Sequence, residues 1–77
     1  MSDQDKAVYK GVLVTRRNNA IRERAETELS IKFINGLVDR NLATDQEKEQ
    51  RETLKKDLRR LDWVDELIEA ELKALEE

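Results

Sequence analysis

The chain has 77 residues with a net charge of −3, and 43% of them are charged, but it has no cysteine, histidine or proline. This length allows one small domain, residues 1–77, whose hydrophobic core is close to the lower limit for independent folding. The composition excludes disulfide bonds, zinc–thiolate sites and a histidine general base, and it is typical of long helices or coiled coils.

The N-terminus begins with the polar, acidic residues Met1 to Asp5, unlike the basic start of a signal peptide. No apolar run approaches the roughly 18 residues of a membrane span. We therefore expect a soluble, cytoplasmic protein that does not contact a membrane.

The first element is predicted to be a helix over about residues 4–40. Its C-terminal half has Thr27, Ile31, Ile34 and Val38 at helical spacing. Residues 8–15 are rich in strand-favouring side chains, so a short N-terminal β-strand (8–15) followed by a helical hairpin is the alternative. If this segment is helical, it begins a continuous face along the first half of the helix. The residues of this face recur at helical spacing: Ala7, Gly11, Val14, Asn18, Ile21 and Ala25.

A hinge is predicted at residues 41–44. Asn41 favours the left-handed conformation that ends helices. Leu42 is the hydrophobic residue that commonly comes next and packs on the last turn of the helix. Thr44 and Glu47 have the spacing of a capping box, in which each side chain bonds the other residue's backbone N–H. A helix therefore ends near residue 40 and a second helix begins near residue 45.

The second helix, about residues 45–76, has two apolar stripes. The main stripe recurs at steps of three and four residues: Leu54, Leu58, Leu61, Val64, Ile68, Leu72 and Leu75. The second stripe has the same kind of spacing: Trp63, Leu67, Ala70 and Ala74. At about 100° per residue the stripes lie roughly 135° apart. A helix with two apolar faces needs two neighbours.

The predicted fold is thus all-α: an antiparallel, coiled-coil-like helical hairpin that dimerises into a helical bundle. Charge supports this pairing, because Lys6 to Arg24 contains six basic residues against one acidic residue. Asp62 to Glu77 contains seven acidic residues against one basic residue. The hairpin places these segments side by side, with Gly11 near Ala74 and Ile21 near Val64.

Catalysis is not expected from this chain. The carboxylates of the second helix are best interpreted as a solvated acidic face, because di-iron helical sites also need histidine. The serine and threonine hydroxyls have no histidine to activate them. The sequence therefore predicts no catalytic, metal-binding or cofactor-binding residue.

A basic segment offers the one route to nucleic acid, through Arg16, Arg17, Arg22 and Arg24. A small regulatory protein that binds nucleic acid through these arginines is therefore the alternative function. The acidic pI of about 5.1 and the acidic segment expected alongside make nucleic acid the less favoured partner.

The favoured function is a non-catalytic protein-interaction module: a small accessory protein, adaptor, assembly factor or inhibitor. Its partner is another protein, and we expect a homodimer as well. The candidate contact residues are Trp63, Leu67, Ala70, Ala74 and Phe33. Trp63 and Phe33 could instead complete the core. The layout is similar to that of two-helix proteins that dimerise into four-helix bundles and of small viral or plasmid accessory proteins, a likeness of form alone.

Overall fold

A computed structural model, which describes residues 2–76, has two helices packed as an antiparallel hairpin. Helix α1 spans Asp3–Asp39 and helix α2 spans Asp45–Glu76. The hairpin measures 58 × 15 × 14 Å. This confirms the predicted all-α hairpin, and the predicted helix ends agree to within one residue. Neither helix in the described part of the chain combines the length and apolar character needed to cross a membrane.

The alternative of a β-strand at residues 8–15 is wrong, because this segment is helical throughout. A lone strand would leave its backbone groups without partners in this chain, whereas a helix bonds them internally. The helix also lets Tyr9 and Leu13 pack against α2. Tertiary packing thus overrides the strand preference of the valines.

Helix α1 begins at a Ser2 cap, which is not among the predicted features. The Ser2 hydroxyl accepts a hydrogen bond from the Asp5 backbone N–H at 3.2 Å. Asp3 and Asp5 place negative charge in the first turn, which the helix dipole favours.

The hinge has the predicted caps. Asn41 has a φ of 59°, in the left-handed region. The Leu42 N–H donates to the Leu37 carbonyl at 2.8 Å, and the Asn41 N–H donates to the Val38 carbonyl at 3.0 Å. This pair of bonds is a Schellman motif, which satisfies carbonyls at the helix end.

The capping box at the start of α2 is also present. The Thr44 N–H donates to Glu47 Oε1 at 2.9 Å, and the Glu47 N–H donates to Thr44 Oγ1 at 3.1 Å. The two caps fix where the chain reverses, so they set how the helices align.

The main stripe of α2 faces α1, as predicted. All seven of its residues are buried or half-buried. The best-packed part lies at the end away from the hinge, where Leu13 packs with Ile68 and Leu72. Tyr9, Val14, Val64 and Leu75 surround this cluster.

The apolar face predicted for the first half of α1 is wrong. Of Ala7, Gly11, Val14, Asn18, Ile21 and Ala25, only Val14 is half-buried and the others are exposed. The face that meets α2 instead continues from Thr27 through Arg24, Ala20, Arg17 and Leu13. Two of these positions are arginines, whose aliphatic stems can lie along an apolar surface while the charged heads stay hydrated.

Ion pairs across the hairpin confirm that the basic and acidic segments run side by side. Arg17 Nη1 lies 3.3 Å from Glu69 Oε1, and Arg24 Nη1 lies 3.3 Å from Asp65 Oδ2. Arg24 also pairs with Asp62. Near the hinge, Arg51 Nη1 donates to Asn35 Oδ1 at 2.9 Å. The helices are thus aligned close to the predicted register, although α1 is rotated relative to the prediction.

Candidate protein-binding surface

The second stripe of α2 lies on the exposed side of the hairpin. Trp63 is 60% exposed and Leu67 is 45% exposed. Ala70 and Ala74 are exposed as well. Trp63 therefore does not complete the core between α1 and α2, which leaves it available as a contact residue.

Helical geometry explains why this stripe cannot reach α1. The main stripe already occupies the side of α2 that faces α1. In a coiled-coil frame of 3.5 residues per turn, Trp63 and Ala70 lie opposite that side. Leu67 and Ala74 occupy the neighbouring heptad position around the helix, which also faces away from α1. No rotation of α2 could bury both stripes against the same helix.

The hairpin exposes more large apolar side chains than it buries. Among the described residues, five apolar side chains are buried: Leu13, Ala20, Ile34, Ile68 and Leu72. Eight large ones are exposed: Val8, Val12, Ile21, Leu29, Phe33, Leu42, Trp63 and Leu67. Single exposed apolar residues are ordinary, but contiguous ones are typical of contact sites. The second stripe is contiguous, because its members follow one another on successive turns.

A smaller apolar patch lies on α1 near the hinge. Phe33 is 67% exposed and Leu29, one turn earlier, is 55% exposed. Residues four apart lie on the same side of a helix, so these two side chains form one patch. Phe33 is therefore a surface residue of the hairpin. This patch is a second candidate contact, separate from the second stripe.

The four arginines of the alternative nucleic-acid site do not form one basic face. Arg17 and Arg24 point towards α2 and pair with its carboxylates. Arg22 is on the outer side of α1, with Nε 3.9 Å from Glu26 Oε1. Carboxylates thus lie beside three of these guanidinium groups, which weakens the attraction for phosphate.

Arg16 lies in a groove of about 660 Å³ along one side of the hairpin. The groove is open and lined by charges of both signs, including Glu23, Asp57 and Arg60. Its floor includes Ala20, a small residue at a position that faces α2. Mixed charges at an open groove do not select either an anion or a cation.

The acidic face of α2 is partly used inside the hairpin. Asp62 and Asp65 both pair with Arg24, and Glu71 accepts a hydrogen bond from Tyr9. In the described part of the chain, no three acidic side chains come together in a way that could hold a metal ion. The predicted solvated acidic face therefore also bonds to α1, which its sequence pattern does not indicate.

The hairpin perturbs the ionisation of Tyr9. Its hydroxyl donates to Glu71 Oε2 at 3.1 Å. This hydrogen bond, with the negative charge of Glu71, raises the pKa of Tyr9 above its ordinary value of 10.0. The bond ties the start of α1 to the last turns of α2.

Comparisons with protein-family models, curated proteins and solved structures give no match to this chain. Any functional proposal therefore depends on the geometry of the hairpin itself.

Proposed function

We propose that this chain is a non-catalytic protein-interaction module that binds another protein through the second stripe of α2. The observation that carries this proposal is the exposure of Trp63 and Leu67 on a side that α1 cannot cover. Tryptophan is enriched among the residues that dominate binding energy at protein interfaces. An accessory, adaptor, assembly or inhibitory role is consistent with such a surface.

The dimensions of the stripe suit a helical partner. Four residues at steps of four, three and four form a narrow apolar line about three turns long. Ala70 and Ala74 leave room beside Trp63 and Leu67, so a partner helix could approach closely. This is the pattern with which an amphipathic helix meets a second helix or a helical groove.

Nucleic acid is a weaker candidate than protein. Arg17 and Arg24 already pair with carboxylates of α2, and binding phosphate would require breaking those pairs. The overall charge of −3 also opposes approach to a polyanion.

The test is affinity capture from a cell extract with the wild-type chain and with Leu67→Glu. Glutamate preserves helix formation, but it places a charge in the apolar line. The captured amount of any protein that binds through the second stripe should fall by at least ~10-fold with Leu67→Glu. A buried contact of this kind contributes about 1.4 kcal/mol or more to the free energy of binding.

The matched control is Thr53→Glu, which adds the same charge to an exposed position two heptads before Leu67, on the same side of α2. This variant should capture the same proteins as wild type. Identical capture by wild type and Leu67→Glu, both of other proteins and of further copies of this chain, would contradict the proposal.

A further inference from the structure

The occupant of the second stripe can be identified from the arrangement of its residues. We infer that it is the second stripe of another copy of this chain, packed antiparallel about a two-fold axis. This inference rests on the proposed function, because it names the partner for the same surface. Three features of α2 support it: the spacing, the side-chain sizes and the flanking charges.

The spacing of the stripe is symmetric. The steps from Trp63 to Leu67, Ala70 and Ala74 are four, three and four, so they read the same in both directions. In an antiparallel pair centred between residues 68 and 69, each stripe residue lies opposite a stripe residue of the other copy. A two-fold dimer uses the same patch on both subunits, so this symmetry is what such an interface requires.

The side-chain sizes are complementary in that register. Trp63 of one copy lies opposite Ala74 of the other, and Leu67 lies opposite Ala70. Large side chains therefore meet small ones in every layer, which allows the two helices to interdigitate. In a parallel pair, by contrast, each residue would meet its own copy, so Trp63 would meet Trp63 and the alanines would leave gaps.

The flanking charges favour the same orientation. Glu66 and Lys73 border the stripe on one side, and both are exposed. Among the described residues, neither forms an ion pair within its own hairpin. The antiparallel register brings Glu66 of each copy beside Lys73 of the other. A parallel pair would instead bring Glu66 towards Glu71, which carries the same charge.

The rest of the hairpin leaves room for this dimer. Helix α1 packs on the opposite side of α2 and is tied there by the Arg24 and Tyr9 contacts. A second copy can approach the second stripe without displacing α1. The hairpin's own core is thin, because two helices form a single layer, so burial of Trp63 and Leu67 adds apolar contact that the monomer lacks.

The first test is the mass of the purified chain, measured by analytical ultracentrifugation at tens of micromolar, with helix content followed by circular dichroism. Wild type should sediment as a dimer of the 9.1 kDa chain. Leu67→Glu should remain helical and weaken dimerisation by ~100-fold, since it places two charges near the centre of the interface.

Charge reversal tests the register. Glu66→Lys alone places like charges beside each other at two symmetric sites and should weaken dimerisation by ~10-fold. Adding Lys73→Glu restores both opposite-charge pairs. The double variant also has the same net charge as wild type, so it should dimerise as well as wild type. Equal dimerisation by the single and double variants would contradict the register.

Cross-linking tests the orientation. The chain has no cysteine, so introduced thiols can react only with one another. When Leu67→Cys and Ala70→Cys chains are mixed and oxidised, the mixed 67–70 disulfide should dominate. Dominance of the 67–67 and 70–70 products would overturn the antiparallel arrangement.

The inference and the proposed function can fail separately. A wild-type monomer at tens of micromolar would overturn the inference. If Leu67→Glu then still lost proteins captured from an extract, the stripe would serve a different partner and the proposed function would stand. If Leu67→Glu changed neither dimerisation nor capture, both would be wrong.

Discussion

Arg17 and Arg24 show how single residues position this hairpin. Both lie on the side of α1 that meets α2, at positions where a coiled coil usually has apolar residues. Each pairs with carboxylates of α2. Ion pairs that keep partial contact with solvent contribute little, about 0–1 kcal/mol each when exposed, so we interpret these contacts as aligning the helices more than stabilising them.

The same arginines explain why the face of α1 that meets α2 differs from the predicted one. The predicted face, which contains Gly11 and Ile21, carries mostly small and apolar side chains and no arginine, and it is exposed. A long basic side chain can cover an apolar surface with its aliphatic stem. A pattern that counts only apolar residue types leaves such side chains out. Counting Arg17 and Arg24 as members of the helical pattern would have revealed the correct face.

Tyr9 provides a prediction for alkaline pH. Its pKa is raised in the folded chain because its hydroxyl donates to the Glu71 carboxylate. The neutral phenol therefore favours the folded state: this contribution is fully present below pH 10.0 and is lost as the pH rises through the higher folded pKa. Tyr9 is the sole tyrosine, so an ultraviolet titration reports it alone. Glu71→Gln should lower the titration midpoint.

The control for this titration is Glu66→Gln, which removes the same charge from an exposed site on α2 that does not bond to Tyr9. It should leave the midpoint close to that of wild type. A Glu71→Gln midpoint equal to the wild-type midpoint would show that the bond is not formed in solution.

At the scale of elements, the helix ends were the most predictable part of the molecule. Asn41 and the pair Thr44 and Glu47 act through local backbone geometry, which a few adjacent residues determine. The secondary structure of residues 8–15, helix or strand, was harder to predict. It depends on Leu13 meeting Ile68 and Leu72, which are more than fifty residues away in the sequence.

The hinge gives a prediction whose sign depends on the residue introduced. Asn41 has a positive φ, which costs an ordinary L-residue about 1–2 kcal/mol and costs glycine almost nothing. Asn41→Ala should therefore lower the unfolding midpoint by about 4–8 °C, whereas Asn41→Gly should leave it unchanged or raise it. Thermal melts followed by circular dichroism in dilute solution measure both. Equal midpoints for the alanine and glycine variants would contradict the left-handed turn.

At the scale of the whole molecule, the two stripes of α2 account for both the fold and the proposed function. The main stripe was predicted in full, because its burial against α1 follows from periodicity alone. The second stripe was predicted as a surface, and the hairpin leaves it exposed. The sequence predicts a homodimer but not its antiparallel register, since size and charge matching become meaningful once the outward side of α2 is known.

The central claim is that protein covers the second stripe in solution, and a photo-cross-linker at position 63 tests it most directly. A benzophenone side chain in place of Trp63 should form a covalent adduct with a protein when the expressing cells are illuminated. The same group in place of Lys56, an exposed residue two turns nearer the hinge on the same side of α2, should give little adduct. Equal, background-level labelling from both positions would show that the stripe faces solvent and would contradict the account.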